Sequence, residues 1–97
     1  MNYLFLDEAE SEFIEHVAFY EEERNGLGLE FARDVLAAID RIVSFPSAWS
    51  PYSNRCRRCL LKRFPFGIVY RLIGEEIVIF AVMQLNRDPD YWKRRLK

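Results

Sequence analysis

The apolar residues of this chain change their spacing once, and the change falls at Pro46. Before it, Ala9, Phe13, Val17 and Tyr20 recur every three or four residues, and so do Val35, Ile39 and Ile42. After it, "CRRCLLKRF", "GIVYRLIG" and "EEIVIFAVMQL" are rich in β-branched and aromatic residues. A side chain set at helical period cannot line one face of a strand, nor the reverse, so the first half is committed to helices and the second to strands. Segregation of the two selects an α+β fold in which helices cover one face of a small antiparallel sheet.

Local signals divide these halves into elements. "YLFL" suits an opening strand, and Asp7 is the expected N-cap of a first helix, with Glu8 and Glu10 in the turn where the helix dipole favours acids. Glu12, Glu15, Glu22 and Glu23 take polar positions on that helix, which should stop in "RNGLG" at Asn25, Gly26 and Gly28. A second helix is predicted from Leu29, burying Ala32, Val35, Leu36, Ile39, Ile42 and Val43, until Pro46 ends it. So short a link makes the pair an antiparallel helical hairpin. "PSAWSPYSN" reads as the one substantial loop; a turn at Gly74, Glu75 and Glu76 makes the last two strands a β-hairpin, and Asp88 with Pro89 opens a short final helix. The predicted order is strand, helix, helix, three strands and a short helix, in a single domain spanning all 97 residues.

Composition narrows the class of function. With 51% hydrophobic and 30% charged residues the chain is too apolar for a disordered protein. The opening "MNYLFLDEAE" lacks the basic start and apolar run of a signal peptide, and no stretch approaches the roughly 20 apolar residues of a membrane span, so a cytoplasmic protein is expected. Cys56 and Cys59 are spaced CxxC, but in an extended segment the two thiols point to opposite faces, which suits a packing role better than zinc or redox chemistry. His16, the single histidine, is placed on the helix surface one turn after Glu12. There is no GxSxG, no glycine-rich phosphate loop and no metal-ligand spacing, so neither a cofactor nor a metal is expected. The acids read as solvated helix faces.

Charge is the most informative quantity. Residues 1 to 54 carry three cations (Arg24, Arg33, Arg41) against eleven acids, a balance of −8, whereas residues 55 to 97 carry eleven cations against four acids, or +7. Arg57, Arg58, Lys62, Arg63 and Arg71 fall on the predicted sheet, with Arg87, Lys93, Arg94, Arg95 and Lys97 after it. Interleaved with Phe64, Phe66, Tyr70, Tyr91 and Trp92, these cations could hold phosphates and stack bases, or could meet an acidic protein partner.

The segments "FPFGIVYRL", "IVIFAV" and "NRDPDYW", in this order, together with the opening "FLDEAESEFIEHVAFYEE", resemble the RelE/ParE superfamily of toxins from bacterial type II toxin–antitoxin modules. The resemblance spans essentially the whole chain. It implies a β-α-α-β-β-β fold with a variable tail, and a cytoplasmic growth-inhibiting toxin that a cognate antitoxin neutralises in a hetero-oligomer, as in plasmid-stabilisation modules. Its ParE-like branch poisons DNA gyrase; its RelE-like branch cuts messenger RNA on the ribosome; an inactive homologue would only bind its antitoxin. For a ribonuclease the resemblance would assign Arg87, Tyr91 and Arg58 as catalytic, with Gly67 and Leu60 standing where that branch carries an arginine and a lysine, and Gln84 where many close relatives show histidine. These departures favour the ParE-like branch. Contacts to target or antitoxin are expected from Arg57, Arg58, Lys62, Arg63, Arg71, Arg87, Trp92, Lys93, Arg94 and Arg95, with Trp92 anchoring the tail.

Overall fold

The computed structural model describes residues 1–53 and 55–96, so Lys97 lies outside the described residues. In chain order come strand β1 (Asn2–Phe5), helices α1 (Asp7–Glu23) and α2 (Leu27–Ser44), strands β2 (Ser50–Ser53), β3 (Cys56–Leu60), β4 (Phe66–Ile73) and β5 (Glu76–Gln84), and a 3-10 turn at Lys93–Arg95. The α+β class and the strand–helix–helix–strands order are as the periodicity predicts, except that four strands rather than three follow α2.

The sheet differs from expectation in two ways. It is mixed rather than antiparallel: the strand order is β1-β5-β4-β3-β2, and β1 runs parallel to β5, with Tyr3 opposite Ile77 and Phe5 opposite Ile79. Two strands so far apart in sequence, each reading as a half-buried apolar run, carry no local cue to their relative direction. It also has an additional edge strand, because the loop "PSAWSPYSN" contains β2, paired antiparallel to β3 with an irregularity between Pro51 and Ser53. Pro51 hides the strand from pattern reading, and proline is tolerated there because an edge strand need not donate on both sides.

Both helices begin differently from prediction. Leu6 takes the cap position of α1 without a side-chain hydrogen bond, and Asp7 is the first helical residue, still within the acidic first turn. Helix α2 starts two residues before Leu29, because the Glu21 carboxylate reaches across the link to accept from the main-chain N–H groups of Gly26 (3.0 Å) and Gly28 (3.1 Å). Gly26 has φ +88°, the left-handed region open to glycine, and a Cβ on Gly28 would lie 2.6 Å from the carbonyl oxygen of Val17. The link is therefore tight because glycine lets the helices touch.

The inward stripe of α2 is Phe31, Val35, Ala38, Ile39 and Ile42; Ala32 and Val43 are only half-buried, and Leu36 is 44% exposed. Phe31 sets this stripe. Its ring centroid lies 5.1 Å from Tyr20, 5.3 Å from Phe64 and 4.9 Å from Phe66, a cluster that joins both helices to β4. His16 belongs to the same cluster, edge-on to Phe66 at 4.8 Å, rather than to the surface. Along β4, Phe66, Ile68 and Tyr70 face the helices, and from β5 so do Ile77, Ile79 and Val82.

Candidate functional site

The opposite face of the sheet has no helix over it. Cys56, Val69, Val78, Ala81 and Met83 form a second apolar cluster there, closed by Trp92, which is fully buried. The chain past β5 turns at "RDPD", where Asp88 Oδ1 accepts from the Asp90 N–H at 3.0 Å. This Asx turn replaces the helix expected to open at Asp88 and Pro89, and helical geometry is confined to Lys93–Arg95. Trp92 stacks on Tyr52 with centroids 6.1 Å apart, so the tail is anchored as its tryptophan suggests. The indole Nε1 is buried without a hydrogen-bond partner among the described residues.

A buried ion pair fixes the end of the tail. Arg95 Nη1 and Nη2 donate to the Glu12 carboxylate at 2.9 and 3.1 Å, and the two side chains are only 9% and 10% exposed. Glu12 also accepts from the Val82 N–H (3.1 Å), and Arg95 donates to the Phe80 carbonyl (2.9 Å). β1 pairs with β5 only as far as Ile79, and the register passes from Tyr70↔Ile79 to Val69↔Ala81, skipping Phe80. The main-chain groups of β5 beyond β1 would otherwise be buried unpaired, so the two side chains complete the strand edge where β1 runs out.

The predicted site residues fall into separate places. Arg58 lies across the tail face: its stem would be 2.9 Å from a Cβ on Gly67, and its guanidinium covers Tyr52 at 4.3 Å. Leu60 sits beside Gly67 in the β3–β4 register and is 49% exposed. Arg87 is exposed past the end of β5, with its guanidinium 3.8 Å over the Tyr91 ring. Burial first, then the hydrogen bond and charge of Glu12, push the Tyr91 hydroxyl well above the ordinary phenol value. Arg58 and Arg87 are thus held in two different stacks.

Lys62 and Arg63 are not on the sheet as expected. Strand β3 ends at Leu60, and both fall in the following loop, where Arg63 pairs with Glu30 at 2.7 Å. Arg57 donates to the Trp49 carbonyl at 2.6 Å, and Arg71 stands opposite Val78 near the far end of β4. Lys93 pairs with Asp90 at 3.0 Å, and Arg94 is exposed. Arg95 and Trp92, both expected at a contact surface, are instead turned inward, Arg95 onto Glu12 and Trp92 into the second apolar cluster. The two cysteines do point to opposite faces, each in a different apolar cluster, and burial pushes both thiols up.

Two carboxylates depart from the expectation of solvated faces. Besides Glu12, Asp34 is buried and accepts from the main-chain N–H groups of Arg63 (2.9 Å) and Phe64 (3.1 Å), shaping the β3–β4 loop. A signal was present in the sequence: Glu12 lies three residues after Ala9 and Asp34 three after Phe31, so both acids stand on the apolar stripe of their helix. Tyr52 carried no such signal, being placed in a loop.

A helical hairpin thus covers one face of a small mixed sheet, and an irregular tail anchored by Trp92 closes part of the other. The family model for the ParE toxin of the type II toxin–antitoxin system, parDE, matches residues 3–89, and the chain belongs to that family. Among solved structures, a chain of the chromosomal ParDE toxin–antitoxin system from P. aeruginosa superposes with a TM-score of 0.78 at 20% identity, covering 89% of this chain and 97% of that one. At that identity it supports the fold alone. No curated protein sequence matches the chain. The protein is therefore a ParE-like toxin of a type II module, with an antitoxin as its partner. No helix among the described residues is long and apolar enough to cross a membrane.

Proposed function

We propose that this toxin acts in the cytoplasm on DNA gyrase rather than by cutting messenger RNA on the ribosome. The observation that carries the reading is the side-by-side placement of Leu60 and Gly67 on the tail face. A ribonuclease of the superfamily would need cations at these two positions to stabilise a phosphorane-like transition state. Here one is an aliphatic side chain, and the space over the other is filled by the stem of Arg58. Removing one preorganised donor from such a site typically costs about 10²–10³ in rate. Tyr91 adds to the argument, since a phenol whose proton is held by burial and by Glu12 is poorly suited as a general base near neutral pH. Exposed Arg87 and Arg94, with Lys93 beside them, are better suited to docking a partner than to chemistry. The same basic half is available to the antitoxin, so inhibition by competition for one surface follows naturally.

Induction without antitoxin tests this directly. Filamentation, chromosome breaks and an SOS response with intact messenger RNA are expected, and the purified toxin should inhibit gyrase supercoiling. Codon-phased cuts in translated messages would restore the ribonuclease reading, and normal growth despite a folded product would identify an inactive homologue. Arg87→Ala should reduce toxicity without loss of fold.

A further inference from the structure

We infer that the end of the sheet where β3 begins and β4 finishes is a binding site for the phosphate backbone of duplex DNA. Three hollows meet there. One of about 200 Å³ is lined by Ser47, Arg55, Arg57, Tyr70 and Arg71 among others. A second, of about 290 Å³, includes Tyr52, Arg55 and Arg57 in its walls, and a third, of about 320 Å³, is formed by Arg55, Arg71, Leu72 and Ile73. Arg55 lines all three, and no aspartate or glutamate is among the described residues that line them. In a chain of net charge −1, three arginines lining adjoining concavities at one end of the sheet make a local excess of positive charge.

The cluster is built rather than incidental. Arg57 faces Tyr70 across the β3–β4 ladder and is pinned by its bond to the Trp49 carbonyl, so part of its side-chain entropy is already lost before a ligand arrives. Tyr70 in turn donates its hydroxyl to the Pro46 carbonyl, which ties the wall of the hollow of about 200 Å³ to the segment that follows α2. Arg55 has φ +66°, the sole positive value at a non-glycine residue among those described. Glycine or asparagine would occupy this turn with less strain, so what distinguishes arginine here is its side chain.

The chemistry favours a duplex backbone over a single strand. Guanidinium groups match phosphate oxygens in a bidentate fork. Single-stranded binding would also need an open aromatic face, and the aromatics here are engaged: Tyr52 contacts both Trp92 and Arg58, and Tyr70 is 1% exposed. Arg55 and Arg71 lie at the opposite end of β4 from the turn that leads to Arg87; the eight residues of the strand separate its two ends by roughly 20 Å. The inference rests on the gyrase reading for its ligand, since gyrase is held on DNA when poisoned.

The test uses the full chain and a short fluorescein-labelled DNA duplex, followed by anisotropy across a salt series. Arg55→Gly should weaken binding about fivefold or more and reduce the slope of log affinity against log salt by about one, the signature of one lost phosphate contact. Its Tm should not fall, because glycine suits the backbone conformation. Arg33→Ala removes the same charge from the exposed side of α2 and should change affinity less than about twofold if position matters more than net charge. Unchanged binding by Arg55→Gly, or equal loss by Arg33→Ala, would overturn the site. Better competition by single-stranded RNA, or equal competition by inorganic phosphate at matched phosphate concentration, would overturn the duplex assignment. The measurement contains no gyrase, so a toxin that binds DNA through Arg55 yet leaves supercoiling untouched would refute the target and not the site.

Discussion

The two faces of the sheet are covered by different means. On one, α1 and α2 lay down an apolar stripe of regular period, and Phe31 gathers Tyr20, Phe64 and Phe66 around it. On the other, an irregular tail brings a single large side chain, Trp92, and closes its end with Arg95 on Glu12, residues 83 apart in sequence. The helix face is held by summed apolar burial, which tolerates small errors of placement. The tail face depends on a few specific contacts, two of which also satisfy the main chain of β5. A cover of that kind can be lost by a single substitution, and it leaves Arg55, Arg87 and Arg94 exposed, where a partner can reach them.

Five experiments bear on this contrast. Phe31→Ala removes the centre of the helix-face cluster and should cost about 4 kcal/mol in urea unfolding, with loss of the whole fold rather than one face. A result below about 2 kcal/mol would mean the helix face is less cooperative than its ring contacts imply.

Glu12→Gln leaves the Arg95 charge buried and unmatched, and should destabilise by about 3 kcal/mol. The double change Glu12→Leu with Arg95→Met is the sharper experiment. Replacing a buried ion pair by apolar residues is often neutral, but here it also strands the Val82 N–H and the Phe80 carbonyl, so a deficit of about 2 kcal/mol should remain. Full recovery in the double variant would show that the pair does not serve as a substitute strand edge.

Alkaline titration probes the helix side. Burial pushes the Tyr70 hydroxyl up to about 12, against an ordinary value of 10.0. The folded state then holds a proton that the unfolded state releases, so this contribution to stability is complete below pH 10 and is lost as pH rises from 10 to about 12. Tyr70→Phe should be less stable at neutral pH by about 1 kcal/mol, having lost the bond to Pro46, yet decline less steeply over that window. Parallel decline of the two proteins in alkaline circular dichroism would refute the assignment.

The smallest effect is expected at Trp92→Phe. The substitution loses packing volume but removes an indole N–H that is buried without a partner among the described residues, so the net change should be within about 1 kcal/mol. Trp92→Phe loosening the tail, seen as rapid amide exchange at Arg95, would show that indole shape matters beyond its apolar surface.

The candidate site was only partly legible. Arg87, exposed beyond the last strand, and Trp92, anchoring the tail, could be read from "NRDPDYW", since a proline and two aspartates stop a strand and a tryptophan seeks burial. Arg55 and Tyr52 could not, because nothing in a turn-rich stretch announces that three hollows will meet at its end. Lys62 and Arg63 were drawn onto the sheet by an apolar run that continues past Leu60, and the Asp34 carboxylate bends that run into a loop.

The sequence alone determined the order of the elements apart from β2 and the tail, the α+β class, the helical hairpin and the split of charge into an acidic and a basic half. These follow from period, turn chemistry and residue count, all of which act between near neighbours. Only the tertiary structure decided that β1 runs parallel to β5, that two acids on apolar stripes are buried, and that Arg95 turns inward while Arg55, Arg57 and Arg71 share one end of the sheet. Those features depend on groups brought together from distant parts of the chain, where the gain of satisfying a buried charge or main-chain group has no counterpart in local pattern.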